Sequence, residues 1–135
     1  MQAGAVIVSE SPYFKKTTGF RHLFAAASYS VKGAERLLRE SAARHEIIAY
    51  LGGVALFSVL GAALLDYLVL TALFLLLLAV EALNTAIEEI IDHLSRDYSV
   101  FARNAKDLGS FAVSCILAIN ALFIAYVAID LLTST

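Results

Sequence analysis

Long apolar stretches dominate the chain and alternate with short charged segments. The first stretch, Ile47–Leu65, has no charged residue, and a helix of this length spans about 28 Å, close to the hydrocarbon thickness of a bilayer. Two further stretches cover about residues 68–91 and 108–130. The pattern therefore predicts three membrane-crossing helices, at about 47–65, 68–91 and 108–130.

A different pattern precedes the first of these stretches. Between Phe20 and Arg44 apolar side chains recur at helical spacing, and basic side chains gather on the opposite face. This amphipathic pattern is typical of a helix lying in the membrane interface, and the alternative is an ordinary helix of a soluble bundle. We expect an interfacial helix over residues 20–44 and a flexible tail over residues 1–18, which have no clear period.

Composition places the chain among membrane proteins. It has 135 residues, 60% of them hydrophobic, and a mean hydropathy of +0.78, whereas soluble domains are nearer half apolar. This length predicts one domain, residues 19–135, after the tail. The formal charge of −2 argues against nucleic-acid binding. The single cysteine, Cys115, excludes an internal disulfide and any cysteine-cluster metal site.

Basic residues predict the orientation in the membrane. Seven of the ten precede the first span: Lys15, Lys16, Arg21, Lys32, Arg36, Arg39 and Arg44. The other three lie between the second and third spans: Arg96, Arg103 and Lys106. Because basic residues concentrate on the cytoplasmic side, the N-terminus and the second connection of this multi-pass protein are expected in the cytoplasm.

Polar residues form a stripe on the second predicted span. Glu81, Asn84, Glu88 and Asp92 stand at i, i+3, i+7 and i+11, so they share one narrow face of a helix. Glu81 lies about 20 Å from the outer end of this helix and is therefore submerged. A charged residue at the centre of a span costs about 2.5–3.5 kcal/mol, which makes Glu81 a candidate functional residue.

The residue types near the inner surface suit phosphoryl transfer. Glu40 and Glu88 are expected at the water–lipid boundary, where two carboxylates can hold Mg²⁺ together with phosphate oxygens. Lys106 can contact a phosphate as a point charge. Glu81 can accept a proton from a hydroxyl group held at membrane depth. These features favour transfer from a nucleotide to a lipid alcohol, a reaction that needs mainly positioning and charge neutralisation.

Each of these residues, taken by itself, also has a structural explanation that involves no catalysis. A submerged Glu81 can be a hydrogen-bond partner or part of an ion path, and Asn84 can bind a neighbouring helix. Lys106 can be an ordinary cytoplasmic anchor. No P-loop, kinase glycine-rich loop or H-E-x-x-H motif occurs in the chain, so a kinase activity would use another fold.

Two motifs carry a resemblance to a known family. E-A-L-N-T-A-I-E, at Glu81–Glu88, and A-K-D-L-G-S, at Ala105–Ser110, resemble the signature of the prokaryotic diacylglycerol kinases. T-T-G-F, at Thr17–Phe20, and E-S-A-A-R-H-E, at Glu40–Glu46, resemble the N-terminal segment of that family. The resemblance extends from Thr17 to about Leu132. It implies an all-α membrane protein in which three transmembrane helices follow an interfacial helix in a homotrimeric bundle.

The resemblance also implies an activity and its residues. Members of the family phosphorylate diacylglycerol to phosphatidic acid with ATP at the inner membrane, using Mg²⁺ and active sites shared between neighbouring chains. Their metal ligands correspond to Glu40 and Glu88, and their proposed base corresponds to Glu81. The implied ATP contacts are Arg21, Tyr29, Glu40, Glu88, Asp97, Tyr98, Ser99, Lys106 and Asp107. The implied lipid contacts are Glu81, Asn84 and Ser110.

Two points of the resemblance leave alternatives open: the alignment of the residues before Glu40 with the family pattern, and the identity of the lipid substrate. The chain is one residue shorter than the family pattern before Glu40, so the nucleotide-contacting arginine falls on Arg21 counted from Glu40 and on His22 counted from the T-T-G-F motif. The positions of Tyr29 and Lys32 depend on the same choice. Some members of the family phosphorylate undecaprenol instead of diacylglycerol. A non-enzymatic membrane subunit is the alternative from another class.

Overall fold

The computed structural model describes residues 20–95 and 99–134, with the backbone alone for residues 20–22. Within these ranges the chain forms four helices and no strand: α1 (Phe20–Leu37), α2 (Ser41–Leu60), α3 (Leu64–Leu94) and α4 (Val100–Thr133). By length and composition, α2, α3 and α4 can each cross a membrane. The predicted all-α membrane fold with three spanning helices is thereby confirmed.

The chain divides into two compact units between Lys32 and Gly33, within α1. In the first unit the described side chains, Leu23–Lys32, are exposed except for the partly buried Ala25. The second unit contains the end of α1 and all of α2, α3 and α4. The polar residues discussed below belong to this second unit.

The helix expected over residues 20–44 is two helices. α1 ends at Leu37 with tight turns, in which the Arg39 N–H donates to the Arg36 carbonyl at 3.2 Å and the Glu40 N–H donates to the Leu37 carbonyl at 2.9 Å. Glu40 has an extended backbone (φ −72°, ψ 137°) and is the N-cap of α2. No glycine or proline marks this break in residues 38–40, so the helical period continues through it and gives no stop signal.

The connection between α2 and α3 lies earlier than residues 66–67, which separate the first two predicted spans. α2 ends at Leu60, and Gly61 follows in the left-handed conformation (φ 74°), where its N–H donates to the Phe57 carbonyl. A residue with a Cβ in this conformation costs about 1–2 kcal/mol, which explains the glycine. Asp66 belongs to the first turn of α3, and its carboxylate accepts a hydrogen bond of 2.9 Å from the Ala63 N–H.

The connection between α3 and α4 is shorter than residues 92–107, which separate the second and third predicted spans. α3 continues to Leu94, and α4 begins at Val100. Ser99 is the N-cap of α4, where its hydroxyl accepts a hydrogen bond of 3.1 Å from the Ala102 N–H. Residues 100–107 are therefore helical, and the motif that contains Lys106 lies on a regular helix.

A small apolar core joins the three long helices near the start of α3. It contains the buried side chains Phe57, Leu70 and Val127, one from each helix. Gly53 permits close approach here, because a Cβ at this position would lie 3.3 Å from Ile124 and 3.4 Å from Leu70. Asn120 also joins α4 to α3, since its Nδ2 donates to the Leu73 carbonyl at 3.3 Å. This packing leaves the second half of α3 for polar residues.

Candidate active site

The polar stripe of α3 runs from a buried end to an exposed end. Glu81 and Asn84 are buried, with 5% and 8% of their surfaces exposed, although α3 is otherwise apolar enough to span a membrane. Glu88 is partly buried and Asp92 is exposed. Burial of a carboxyl group without compensation is unfavourable, so the stripe points to a site rather than to a solvated helix face.

A cleft of about 280 Å³ opens beside this stripe. Its walls come from the N-terminus of α2, the second half of α3 and the first part of α4: Glu40, Ser41, Ala42, Glu81, Asn84, Thr85, Glu88, Ser110 and Val113. Five residues that the sequence analysis singled out therefore line one cavity: Glu40, Glu81, Asn84, Glu88 and Ser110. Three separate segments supply them, and the helices bring them together.

Asn84 connects the carboxylates of the cleft to α4. Its Nδ2 donates a hydrogen bond of 3.2 Å to Glu88 Oε1. Its Oδ1 is buried, has no hydrogen-bond partner among the residues that the structure describes, and lies against Gly109. A Cβ at Gly109 would collide with this oxygen. The glycine of the A-K-D-L-G-S motif thus allows the backbone of α4 to pack directly on Asn84.

The cleft is strongly acidic. Glu40 and Glu88 both lie close enough to Glu81 for their negative charges to repel it. No basic side chain of the described chain is part of the cleft wall. Such a cluster of carboxylates in a partly desolvated site favours a bound cation.

The donor set fits magnesium rather than a metal that needs a full protein cage. In the part of the chain that the structure describes, no three His, Cys, Asp or Glu side chains are placed so that they could hold a metal ion by themselves. Glu40 and Glu88 instead offer two carboxylates beside open space. Magnesium commonly binds one or two carboxylates and takes its remaining ligands from water and from substrate phosphates. These residues therefore fit the ion that the resemblance implies.

Several expected nucleotide contacts lie on α4 outside the cleft wall. Lys106 forms an ion pair with Asp92 and so joins the start of α4 to the end of α3. Asp107 lies 4.0 Å from Arg103 on the same helix. The Ser99 hydroxyl caps α4. These three expected residues are thus engaged in local contacts, and the Lys106–Asp92 pair joins α3 to α4 in addition to the contact between Asn84 and Gly109.

The remaining expected contacts cannot be assigned to the cleft. Tyr29 is exposed in the first unit of the chain, as is Lys32. The side chains of Arg21 and His22 lie outside the described residues, and so do Asp97 and Tyr98. The choice of register between Arg21 and His22 therefore stays a prediction.

Glu46 is a buried acid that the sequence analysis did not single out. Only 6% of its surface is exposed, and its Oε2 has no hydrogen-bond partner within residues 20–95 and 99–134. Its carboxyl group is close enough to Glu81 for the two to repel each other electrostatically. The sequence gives no clear signal for this burial, because Glu46 directly precedes the apolar run that begins at Ile47. A first span that began at Ile47 made it look like a flanking charge.

The burial of Glu46 leads to a stability prediction. Replacement by methionine, which has a similar volume and no carboxyl group, should stabilise the fold by about 1–3 kcal/mol, because an unpaired buried polar group is removed. The midpoint of thermal unfolding in detergent micelles should therefore rise for Glu46→Met. Replacement of the exposed Asp130 by asparagine should leave the midpoint unchanged. A lower midpoint for Glu46→Met would mean that its carboxyl group makes a stabilising contact.

Known proteins similar to this chain agree on one family. A family model described as prokaryotic diacylglycerol kinase matches residues 28–129. A diacylglycerol kinase of a Sinorhizobium species is 52% identical over 115 residues, which cover 85% of this chain and 84% of the relative. The diacylglycerol kinase of Escherichia coli (strain K12) is 37% identical over 98 residues, which cover 72% and 80% of the two chains. That of Pseudomonas aeruginosa is 38% identical over 110 residues, which cover 78% and 85%. The residues matched by the family model include the cleft-forming segments of α2, α3 and α4, and the chain belongs to the prokaryotic diacylglycerol kinase family.

Proposed function

We propose that this chain is a diacylglycerol kinase that transfers the γ-phosphoryl group of ATP to the free hydroxyl of diacylglycerol and produces phosphatidic acid. The observation that carries this proposal is the cleft in which a buried Glu81, on a membrane-length helix, adjoins the carboxylates of Glu40 and Glu88. A lipid alcohol can reach Glu81 from the bilayer, while a charged nucleotide can approach the more exposed end of the stripe. The names of the related proteins support the same reaction.

Glu81 is the proposed general base. In the transfer step the hydroxyl oxygen of the lipid forms a bond to the γ-phosphorus while its proton moves to the Glu81 carboxylate. The bond between the γ-phosphorus and the bridging oxygen breaks, and ADP leaves with that oxygen. Glu81 is buried, with 5% of its surface exposed, which limits the access of water that would otherwise compete with the lipid hydroxyl for the phosphoryl group.

Glu40 and Glu88 are the proposed magnesium ligands. When bound, the ion supplies positive charge that neutralises the triphosphate. Asn84 donates to one oxygen of Glu88 and so limits the directions in which that carboxylate can turn. Ser110 faces the same cleft from α4 and is the proposed contact to the lipid headgroup.

The remaining elements of the proposal rest on the family and on charge distribution. ATP would also contact Arg21, Tyr29, the segment 97–99, Lys106 and Asp107. The concentration of basic residues before α2 and around the start of α4 supports a cytoplasmic N-terminus at the inner membrane. Exposed apolar side chains along the long helices suit a homotrimer with active sites shared between chains.

A kinase assay in lipid vesicles tests the proposal. The purified chain should transfer label from [γ-³²P]ATP to diacylglycerol in the presence of Mg²⁺, and chelation of Mg²⁺ should stop the transfer. Vesicles containing undecaprenol in place of diacylglycerol should give much less product. Preferential labelling of undecaprenol would assign the chain to the other substrate class of the family. Absence of any labelled lipid would favour the non-enzymatic membrane subunit.

A further inference from the structure

Arg36 joins three helices at the edge of the cleft. It lies in the last turn of α1, where its Nη1 donates a hydrogen bond of 2.5 Å to Glu40 Oε1. Its Nε donates a hydrogen bond of 2.6 Å to Glu89 Oε1 on α3, and its Nη2 lies 2.6 Å from the same oxygen. One guanidinium group therefore connects α1, the N-cap residue of α2 and the second half of α3.

The orientation of the Glu40 side chain depends on this contact. Glu40 is the N-cap of α2, where a carboxylate could bind the free N–H groups of the first helical turn. Its side chain makes no such capping hydrogen bond. The carboxylate instead binds Arg36 and lines the cleft. Arg36 thus limits the directions in which the Glu40 carboxylate can turn.

The second partner of Arg36 links Glu40 to the other proposed metal ligand. Glu89 follows Glu88 directly on α3, so the ion pair ties the N-terminus of α2 to the turn of α3 that carries Glu88. The groove of about 200 Å³ around this pair is lined largely by small or apolar residues, among them Gly33 and Ala86, which leave space between α1 and α3. The ion pair between Arg36 and Glu89 therefore contributes more to the distance between α1 and α3 than side-chain packing does.

Stability alone does not account for this arrangement. The Arg36, Glu40 and Glu89 side chains remain 43%, 38% and 55% exposed, and ion pairs of such exposure contribute little to folding. These ion pairs can nevertheless orient the Glu40 carboxylate, because hydrogen-bond partners of metal ligands commonly determine ligand orientation.

We propose that Arg36 is a positioning residue of the metal–nucleotide site, which holds the Glu40 carboxylate in register with Glu88 through its second contact to Glu89. The inference rests on the proposed function of Glu40 and Glu88 as metal ligands. It assigns Arg36 and Glu89 a role in metal affinity, although neither belongs to the motifs that identify the family and neither is expected to touch the metal.

Metal binding provides a test that does not depend on turnover. Mn²⁺ serves as the probe, and electron paramagnetic resonance measures its free concentration in micelles that contain the purified protein and a non-hydrolysable ATP analogue. Arg36→Met should weaken Mn²⁺ binding about tenfold, the lower end of the range for partners of metal ligands. Arg36→Lys should restore part of the affinity, and Glu89→Gln should weaken binding less than Arg36→Met does. Arg39→Met, in the same turn, should bind Mn²⁺ like the unmodified chain.

A variant with exchanged charges distinguishes two roles of Arg36: orientation of the Glu40 carboxylate and an ion pair that only joins α1 to α3. The double variant Arg36→Glu, Glu89→Arg can re-form the ion pair between α1 and α3 but puts a carboxylate beside Glu40. Positioning predicts that Mn²⁺ affinity stays low in this variant, and recovery of affinity would overturn the proposal. Unchanged Mn²⁺ affinity in Arg36→Met would also overturn it. Thermal unfolding of each variant should remain within a few degrees of the parent, as expected for exposed pairs.

Kinase measurements add a second readout. In the vesicle assay Arg36→Met should raise the KM for Mg–ATP about tenfold and change kcat much less, because positioning of a ligand acts mainly on binding. An equal fall in kcat without a change in KM would contradict a role at the metal. If the unmodified chain has no lipid kinase activity, the proposed function fails, whereas the Mn²⁺ titrations still decide whether Arg36 orients Glu40.

Discussion

Replacement of Glu81 by glutamine is expected to abolish phosphoryl transfer and to leave the helices assembled. Glutamine has the same size and can still form hydrogen bonds, but it cannot accept the proton of a lipid hydroxyl. General-base catalysis contributes about 10²–10⁴-fold to such reactions, so the rate in vesicles should fall by at least about a hundredfold. The initial rate of ³²P transfer to diacylglycerol measures this loss, and circular dichroism checks that the helical content is retained.

Two controls define what the loss at Glu81 means. Asp130→Asn, which changes an exposed acid near the end of α4, should transfer phosphate at the rate of the unmodified chain. Glu81→Gln should still bind Mn²⁺ with the non-hydrolysable ATP analogue, because Glu40 and Glu88 are unchanged. A Glu81→Gln protein with more than about a tenth of the original rate would rule out Glu81 as the base without ruling out the kinase, since loss of a true base costs at least about a hundredfold.

Replacement of Gly109 by alanine should damage both packing and activity. The new Cβ would collide with Asn84 Oδ1, a buried atom between two packed helices, so either Asn84 or the backbone of α4 must move. Overpacking of this kind costs about 1–3 kcal/mol. Because Asn84 donates to Glu88 in the cleft, we also expect the kinase rate to fall by at least about tenfold, which corresponds to only 1.4 kcal/mol.

Glycine substitutions elsewhere provide a matched comparison. Gly52 also lies inside a long helix, but a Cβ there would meet nothing within 4 Å. Gly52→Ala should therefore keep the kinase rate of the unmodified chain and keep or slightly raise its thermal midpoint, because alanine favours a helix by about 1 kcal/mol relative to glycine. Adding Asn84→Ala to Gly109→Ala should recover stability, because the collision is removed, without recovering activity. A Gly109→Ala protein as stable and active as Gly52→Ala would show that α4 does not pack on Asn84 as described.

Some residues of the site are predictable from the spacing of residues along one helix, and others are not. The spacing of Glu81, Asn84 and Glu88 alone places them on one face of a helix, and the structure has them on one face of α3 beside one cleft. Glu46 escaped notice because an acid at the edge of an apolar run looks the same in sequence whether it is solvated or buried. Its burial depends on neighbouring helices, which periodicity does not describe.

Features of the fold are also predictable from the sequence to different extents. The number of membrane-length helices follows from the sequence, because a chain in lipid must satisfy its backbone hydrogen bonds internally and about twenty apolar residues are needed to cross. The residues at which these helices begin and end are less well predicted from the sequence. The Gly61 turn has a local signal in its glycine, whereas the break at residues 38–40 has none and depends on contacts made after folding.

The sequence by itself thus determined the class of protein, its spanning helices and the polar stripe, since each depends on composition or on spacing along one helix, and its motifs indicated the family. Only the tertiary structure decided that Glu40 and Glu88 line one cleft, that Gly109 lies against Asn84, and that Arg36 binds Glu89, 53 residues away. Contacts between distant residues depend on how helices approach and rotate against one another. That arrangement is set by packing over the whole bundle and leaves no periodic signal in any single segment.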